Sequence, residues 1–366
     1  MLERDFYILK LIKAKERAGL KLIRGGEKTG KSTLLKKLYE RKELGHSILL
    51  DRSSLSELRK AYEKNSAALK RKISLLFDDV DKLDPEETEL ILSLARIENL
   101  CIYATCTSCI PLKKHKAWDD NKVEIFPLYP LSFSQFLNFY SLANNATSLE
   151  KYENSIAIFP LHMRSVSEPV ALSIYLDELS NAKAFLRREY GIRKDETLHL
   201  LRFIAANIGR ILSIGDISHR TKLDKKCVSS ILEKFEDQNM IASIPGYDEL
   251  KDELLSSGRK YYISDNYFIR QLSGESGCPL LLENMVAIEL LRREERLFYG
   301  VESTFVAFSD YEKKIFRIEE NGDEVESQYE DSIRAEKKYV IAPKISSIRK
   351  NGVQYLTALT FLSGKW

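Results

Sequence analysis

The stretch that decides the fold is Gly25-Gly26-Glu27-Lys28-Thr29-Gly30-Lys31-Ser32-Thr33. It fits the pattern G-x-x-x-x-G-K-[ST] of loops that bind phosphate. Glycines let such a loop turn tightly and direct successive N–H groups at an anion. An apolar stretch typical of a short buried strand precedes the loop, and a predicted helix follows it, whose amino end also favours anions. The alternative, a glycine turn that binds nothing, fits this context less well.

The residue types in this loop predict ATP and Mg²⁺ as cofactors. Lys31 can reach the β- and γ-phosphates, and the Ser32 hydroxyl can ligate the magnesium ion that bridges them. The candidate nucleotide-binding residues are Gly25, Gly26, Glu27, Lys28, Thr29, Gly30, Lys31, Ser32 and Thr33.

Two carboxylates follow a second apolar stretch, Ile73-Ser74-Leu75-Leu76-Phe77, which is predicted to be a buried strand. We expect Asp78 to hold Mg²⁺, mostly through water, and Asp79 to polarise the water that attacks the phosphate. Apolar strands followed by acidic turns are common. The functional interpretation is favoured here because this strand follows a phosphate loop.

The next predicted strand, Leu100-Cys101-Ile102-Tyr103-Ala104-Thr105, ends close to Thr107. A hydroxyl at that place can hydrogen-bond the γ-phosphate or its attacking water, although a polar turn that only ends the strand is an equally good interpretation. Strands alternate with helices along this half of the chain. The pattern predicts an α/β fold with a parallel sheet.

Composition limits the remaining function classes. The 366 residues carry 57 Lys and Arg against 54 Asp and Glu, a net charge of +3, so a nucleic-acid surface would require local clustering of cations. No apolar run approaches the roughly 18 residues needed to span a bilayer, and the first residues do not have the pattern of a secretory signal. We expect a cytoplasmic protein without a membrane partner.

Cys106 and Cys109 form a C-x-x-C pair. Such a pair can bind a metal or act in redox chemistry, but no second pair completes a zinc site. Buried, inert thiols are therefore the preferred interpretation.

Residues 212–263 have the order of a winged helix: a short helix, a turn, a longer helix with an apolar stripe, and two strands around a wing. On its other face the longer helix carries four candidate nucleic-acid contacts: Lys225, Lys226, Ser229 and Lys234. In a DNA complex the lysines would lie near phosphates and the serine near bases. Acidic residues in the wing disfavour DNA, so packing or protein contact is an equally open interpretation.

Three further stretches resemble one family: LLFDDVDKL at 75–83, ATCTS at 104–108 and VEIFPLYPLSFSQFL at 123–137. With the phosphate loop, they are similar to the AAA-type ATPases of bacteria and archaea that carry a C-terminal domain of unknown function. The resemblance covers most of the chain. It implies Lys31 and Ser32 as phosphate-loop residues, Asp78 and Asp79 as the acidic pair, and Thr107 as the polar sensor residue.

Two departures from the family pattern predict slow hydrolysis. The family usually has Asp-Glu where this chain has Asp78-Asp79, so the carboxylate that polarises water is one methylene shorter. It also tends to have Gly-Arg where this chain has Asn121-Lys122. Lys122, the candidate catalytic cation, keeps the charge but lacks the guanidinium fork. An arginine that acts on the transferred phosphate can be worth ~10³ or more in rate.

Near the C-terminus, Tyr261-Tyr262-Ile263-Ser264-Asp265 and Leu281-Leu282-Glu283-Asn284 correspond to the family's Y-Y-x-x-D and L-L-E-N. The resemblance implies a restriction-endonuclease-like fold, in which carboxylates and a lysine surround a metal. Glu283 is present, but Thr304 replaces the family's Asp and Asn321 its Lys. Because this metal site is incomplete, we expect a structural or binding remnant that no longer cleaves nucleic acid.

These observations predict four segments. They are a P-loop AAA-type domain with a parallel sheet and helices on both faces (1–165), a helical lid or connector (166–211), a winged helix (212–270) and a small α/β nuclease-like domain (271–366). The predicted function is ATP binding with slow hydrolysis, coupled to the later domains. Alternatives are a nucleotide-gated switch with little turnover, or a DNA-binding regulator that uses the ATPase fold as a scaffold. A protein partner of the C-terminal domain is a further expectation.

Overall fold

The structure is a computed structural model. It describes residues 4–26, 29–51, 55, 72–154, 194–248, 251–273, 280–293, 296–300, 303–309, 312–319, 335–344, 349–350 and 352–364. The chain forms two compact units, Met1–Tyr129 with Asp237–Asn239, and Pro130–Glu236 with Met240–Trp366. In the described part, no helix is long and apolar enough to cross a lipid bilayer.

The first unit is built on a sheet of five parallel strands in the order β2-β3-β4-β1-β5. The strands are β1 (Gly19–Arg24), β2 (Ser47–Leu50), β3 (Ile73–Phe77), β4 (Leu100–Cys106) and β5 (Val123–Pro127). The helices described in this unit are α1 (Asp5–Ala14), α2 (Lys31–Tyr39), α3 (Pro85–Leu94) and the short α4 (Ile110–Lys113).

Both faces of this sheet are covered. On β1, Leu20 and Leu22 belong to an apolar cluster that also contains residues of α3, while Ile23 belongs to the cluster formed with α1 and α2. Parallel sheets are typically buried on both faces in this way, because their crossover helices lie on each side. The predicted α/β fold with a parallel sheet and helices on both faces is confirmed.

The strand order brings the carboxyl ends of β1, β3 and β4 to one edge of the sheet, since all three run in the same direction. In open parallel sheets, the crevice beyond these ends is where ligands bind. The loops that leave these strands carry the phosphate loop, the acidic pair and Thr107.

The second unit contains a mixed nine-stranded sheet in the order β13-β14-β12-β11-β10-β9-β7-β8-β6. Its strands are β6 (Ile211–Leu212), β7 (Ile241–Asp248), β8 (Glu253–Ile263), β9 (Arg296–Tyr299), β10 (Thr304–Ser309), β11 (Glu312–Ile318), β12 (Lys337–Ala342), β13 (Arg349–Lys350) and β14 (Val353–Thr357). Its described helices are α5 (Phe133–Tyr140), α6 (Ala146–Asn154), α7 (Lys194–Ala206), α8 (Ile214–Thr221), α9 (Lys225–Asp237), α10 (Asn266–Ser273), α11 (Leu281–Arg292) and α12 (Ala358–Leu362).

Capping residues fix several helix starts in both units. Asp84 forms a capping box with Glu87 at α3, and Ser132 forms one with Gln135 at α5. The succession α8, α9, β7 and β8 follows the order predicted for residues 212–263, with β7 and β8 antiparallel. The extra C-terminal sheet is present, whereas the winged-helix and nuclease-like assignments and the four segment boundaries stay predictions.

Candidate functional site

The phosphate loop lies directly between β1 and α2, as the motif requires. Gly25 packs so closely that a Cβ on it would come within 2.5 Å of the Leu128 carbonyl oxygen. Gly30 has a φ of +91°, a conformation that L side chains rarely adopt, and a Cβ there would meet no atom within 4 Å. One glycine is thus required by packing and the other by backbone conformation.

Lys31 brings the loop and β4 together. Its Nζ donates to the carbonyl oxygens of Gly25 and Gly26, each at 3.0 Å, and to Thr107 Oγ1 at 3.2 Å. The side chain is only 6% exposed. A buried ammonium is stabilised by such acceptors, and it is the group that would meet a phosphate entering the loop.

The other described threonine and serine residues of the loop are buried or half-buried. Thr29 is buried and donates from Oγ1 to the Gly26 carbonyl at 2.8 Å, which closes the loop. Ser32 and Thr33 are half-buried in the first turn of α2. Glu27 and Lys28 lie outside the described residues.

The acidic pair is held by a residue that sequence reasoning missed. Thr105, fully buried near the end of β4, donates from Oγ1 to Asp78 Oδ1 and accepts the backbone N–H of Asp79 at 2.8 Å. Asp79 has a φ of +54°, and its Oδ2 pairs with Lys82 Nζ at 2.7 Å. Threonine is common in strands for its β-branched shape alone, so the sequence carries no signal for this role.

A third carboxylate, Asp81, holds the turn that contains Thr107. Its Oδ2 accepts the backbone N–H of Thr107 at 2.9 Å and that of Ser108 at 3.1 Å. Burial raises the pKa of this carboxyl, while the N–H groups of Ser108 and Thr107 and the charge of Lys31 act in the opposite direction. Asp81 therefore connects the segment after β3 to the segment after β4.

Residues far along the chain complete this turn. Asp237 Oδ2 accepts the Ser108 hydroxyl at 2.6 Å and the Cys109 N–H at 2.8 Å. Its Oδ1 lies 3.3 Å from an Arg24 guanidinium nitrogen, and Asn239 Oδ1 accepts from the same guanidinium at 2.7 Å. Arg24 immediately precedes the phosphate loop. These contacts also escaped sequence reasoning, because 129 residues separate Ser108 from Asp237.

Lys122 does not join this edge of the sheet. Its carbonyl oxygen accepts the N–H of Leu20 at 2.8 Å, so the residue lies beside the amino end of β1. A strand rises about 3.3 Å per residue, which puts the four steps from Leu20 to Arg24 at about 13 Å. Parallel pairing fixes β5 with its amino end away from the phosphate loop, so the Lys122 backbone lies at the opposite end of the sheet, and the expected catalytic role of Lys122 stays a prediction.

The candidate nucleic-acid contacts on α9 separate into two groups. Lys225, Lys226 and Ser229 are exposed. The Lys234 residue is only 6% exposed, so it does not lie on a surface that a DNA phosphate could contact. The expectation that Lys234 belongs to the exposed face is therefore wrong.

The two carboxylates that the family resemblance assigns to a metal site, Glu283 and Glu319, each lie beside a cationic side chain. Glu283 is fully buried on α11, where its Oε1 lies 3.1 Å from Lys260 Nζ and accepts the Tyr262 hydroxyl at 2.6 Å. Glu319 Oε1 lies 2.6 Å from Arg317 Nε. Thr304, on β10, is paired in the sheet with Arg317 on the adjacent strand β11. Asn321 lies outside the described residues.

Cys106 and Cys109 are both fully buried, with their Sγ atoms 3.5 Å apart. Burial raises the pKa of Cys106 well above its ordinary value. Within the described ranges, no group of three or more His, Cys, Asp or Glu side chains comes together as a metal cluster.

The residues at the sheet edge fit a magnesium nucleotide. Ser32 and Asp78 supply hydroxyl and carboxylate oxygens, the ligand types that Mg²⁺ prefers, and a nucleotide-bound magnesium keeps most of its remaining positions for phosphate and water. Among the described residues, no atom lies within 4 Å of the position that a Cβ on Gly30 would take. When bound, the ion would neutralise charge on the phosphates.

Comparison with known proteins gives a distant relative. No protein-family model matches the sequence. A protein of Haemophilus influenzae, described as uncharacterized, is 25% identical over 328 residues, which are 80% of this chain and 79% of that protein.

Several solved structures are similar to parts of this chain at low sequence identity. The STAND signal-transduction ATPase with a tetratricopeptide repeat sensor from Pyrococcus horikoshii is 14% identical (TM-score 0.29), over 80% of this chain and 46% of that one. DnaA from Aquifex aeolicus bound to AMPPCP is 14% identical (TM-score 0.31), over 64% and 86%. The Thermotoga maritima RuvB branch-migration motor is 13% identical (TM-score 0.31), over 66% and 89%. The chain thus spans less than half of the STAND protein, and none of the three superimposes closely on it.

Proposed function

We propose that this protein binds ATP with Mg²⁺ in the phosphate loop of the first unit. The observation that carries the proposal is the position of Lys31, whose buried Nζ lies within 3.2 Å of two loop carbonyl oxygens and Thr107 Oγ1. An ammonium in that place can contact the β- and γ-phosphates, while Ser32 and Asp78 can hold the metal.

We further infer that hydrolysis is slow. Asp79 is the carboxylate available to polarise water, and its Oδ2 pairs with Lys82 at 2.7 Å. This oxygen is already in contact with an ammonium group, so only the other carboxylate oxygen is left to contact an attacking water. Because the Lys122 backbone lies at the opposite end of the sheet from the phosphate loop, we infer that the site has one cation fewer than the family pattern implies.

The experiment that tests nucleotide binding measures the melting temperature of the protein with and without Mg-ATP. A ligand that binds only the folded state raises the melting temperature. The wild type should be stabilised and Lys31→Ala should not. Lys36→Ala is the matched control, since Lys36 is an exposed lysine on the same helix. Equal stabilisation of Lys31→Ala and the wild type would contradict the proposed site.

A second candidate function, DNA binding by the second unit, has one observation in its favour. Exposed cations cluster where α8 is followed by α9: Arg220, Lys222, Lys225 and Lys226. Filter binding at several salt concentrations tests it, because phosphate contacts give a steep salt dependence. The double variant Lys225→Glu with Lys226→Glu should weaken retention of duplex DNA. The slope of the logarithm of the binding constant against the logarithm of the salt concentration should become shallower by about two. Absence of any salt-dependent retention by the wild type would remove this candidate.

A further inference from the structure

Asp237 occupies a position that is unfavourable for its own helix. It is the last residue of α9, and a negative charge at a helix C-terminus opposes the helix dipole. The side chain is also only 7% exposed, so the carboxylate has given up most of its hydration. A residue that breaks a local rule in this way usually has compensating contacts that serve another purpose.

Those contacts all lie in the first unit, to which Asp237–Asn239 belongs. Oδ2 accepts from the Ser108 hydroxyl, the Cys109 N–H and, at 3.4 Å, the Ile110 N–H. Oδ1 faces the guanidinium of Arg24. One carboxylate therefore joins the turn after β4 to the last residue before the phosphate loop.

Asn239 strengthens the same connection. Its Oδ1 accepts from the Arg24 guanidinium at 2.7 Å, and its Nδ2 donates to the Arg24 carbonyl at 3.0 Å. It has a φ of +54°, a conformation that asparagine tolerates better than most residues. Both the side chain and the main chain of Arg24 are thus held from residues 237–239.

We infer that Asp237 is a positioning residue for the nucleotide site, an inference that rests on the proposed function. It fixes the Ser108 turn, and hence Thr107 opposite Lys31, together with the start of the phosphate loop at Arg24. Because α9 ends at Asp237, a change in this turn on nucleotide binding reaches α9 through the chain itself. Nucleotide state is in this way linked to the segment of the chain that precedes residue 237.

The test measures the Kd of a fluorescent ADP analogue with Mg²⁺ for the full chain. Asp237→Ala and Arg24→Ala should each weaken binding about tenfold or more, the scale of a lost charge-assisted hydrogen bond. In the double variant, the fold-increase in Kd should be smaller than the product of the two single-variant increases, because both substitutions remove the same ion pair between Asp237 and Arg24. Asp237→Asn, which keeps an acceptor for the turn but loses the charge, should lie between the wild type and Asp237→Ala.

Glu233→Gln is the matched control, an exposed carboxylate on the same helix, and should leave the Kd unchanged. A lower melting temperature with an unchanged Kd in Asp237→Asn and Asp237→Ala would overturn the inference, since the residue would then serve folding alone. If Asp237→Ala does not fold, an unchanged Kd in Asp237→Asn and Arg24→Ala overturns it equally. Absence of binding by the wild type would instead overturn the proposed nucleotide site.

Discussion

Thr105 Oγ1 accepts the backbone N–H of Asp79 at 2.8 Å and in the same position donates to the neighbouring carboxylate of Asp78. A single buried hydroxyl on β4 therefore sets both the backbone of one aspartate and the side chain of the other. Since β3 and β4 are adjacent parallel strands, the geometry of the acidic pair depends on the strand beside it as much as on its own.

Replacing this hydroxyl tests that dependence. Thr105→Val preserves the shape but leaves the Asp79 N–H without its acceptor, which should cost about 1–3 kcal/mol of unfolding free energy. Because Asp78 loses its donor, we expect the Mg²⁺ concentration for half-maximal stabilisation by ATP to rise. Thr221→Val, which removes a buried hydroxyl bonded to the Ile217 carbonyl, is the control and should not shift the Mg²⁺ requirement.

Asp79→Asn should leave Mg-ATP binding largely intact while single-turnover hydrolysis falls by about a hundredfold, the usual contribution of a general base. The side-chain amide is a poor base but preserves the size of the residue. Lys82→Gln removes only the exposed ion-pair partner of Asp79, and stability should change by less than about 1 kcal/mol. Loss of ATP-dependent stabilisation in Asp79→Asn would contradict the role assigned to this carboxylate.

The raised pKa of Asp81 predicts a pH dependence of stability. Because burial favours the protonated carboxyl, the folded state binds a proton at a higher pH than the unfolded state, whose pKa stays near 3.8. Between those two pKa values the unfolding free energy increases as the pH falls. Urea denaturation from pH 7 to pH 4 should therefore show the wild type gaining stability relative to Asp81→Asn. A constant difference between the two proteins would argue against a raised pKa of Asp81 in the folded state.

Lys122→Arg should leave single-turnover hydrolysis by the isolated chain within about twofold of the wild type, whereas an arginine at the phosphate is worth about a thousandfold or more. The reason is distance, since Lys122 lies at the amino end of β5 and the phosphate loop at the carboxyl end of β1. A marked increase in rate would mean that the side chain reaches a nucleotide held by a different copy of the chain.

The parallel sheet and its phosphate loop are predictable because their signals are local. Gly25 to Ser32 form a fixed pattern next to an apolar strand, and the acidic pair ends another such strand. Interactions between strands are not predictable in the same way. Thr105 looks like an ordinary strand residue, and Asp237 looks like one of several acidic residues on a helix, until folding brings each to its partners.

Two further outcomes show the limits of sequence periodicity. In α1, apolar residues lie on more than one side: Tyr7, Ile8 and Leu11 are buried, whereas Phe6 and Leu9 are 52% and 58% exposed. The sequence pattern correctly predicts that Lys122 comes just before a strand, β5. The end of the sheet at which Lys122 lies depends on the direction of β5, which the pattern does not give. A one-dimensional pattern gives the order of elements, whereas their faces and ends are set by packing.

Cys106 and Cys109 flank the turn that carries Thr107, and their burial makes them an internal reporter of its opening. Only a thiolate reacts readily with an alkylating reagent, and a buried thiol must first be exposed by local unfolding. The rate at which these two sulfurs are modified therefore measures how often the turn opens. Half-buried Cys227, whose pKa burial raises to about 11, provides a comparison in the second unit. A nucleotide that ties the turn to Lys31 should slow labelling at the first two positions and leave the third unaffected.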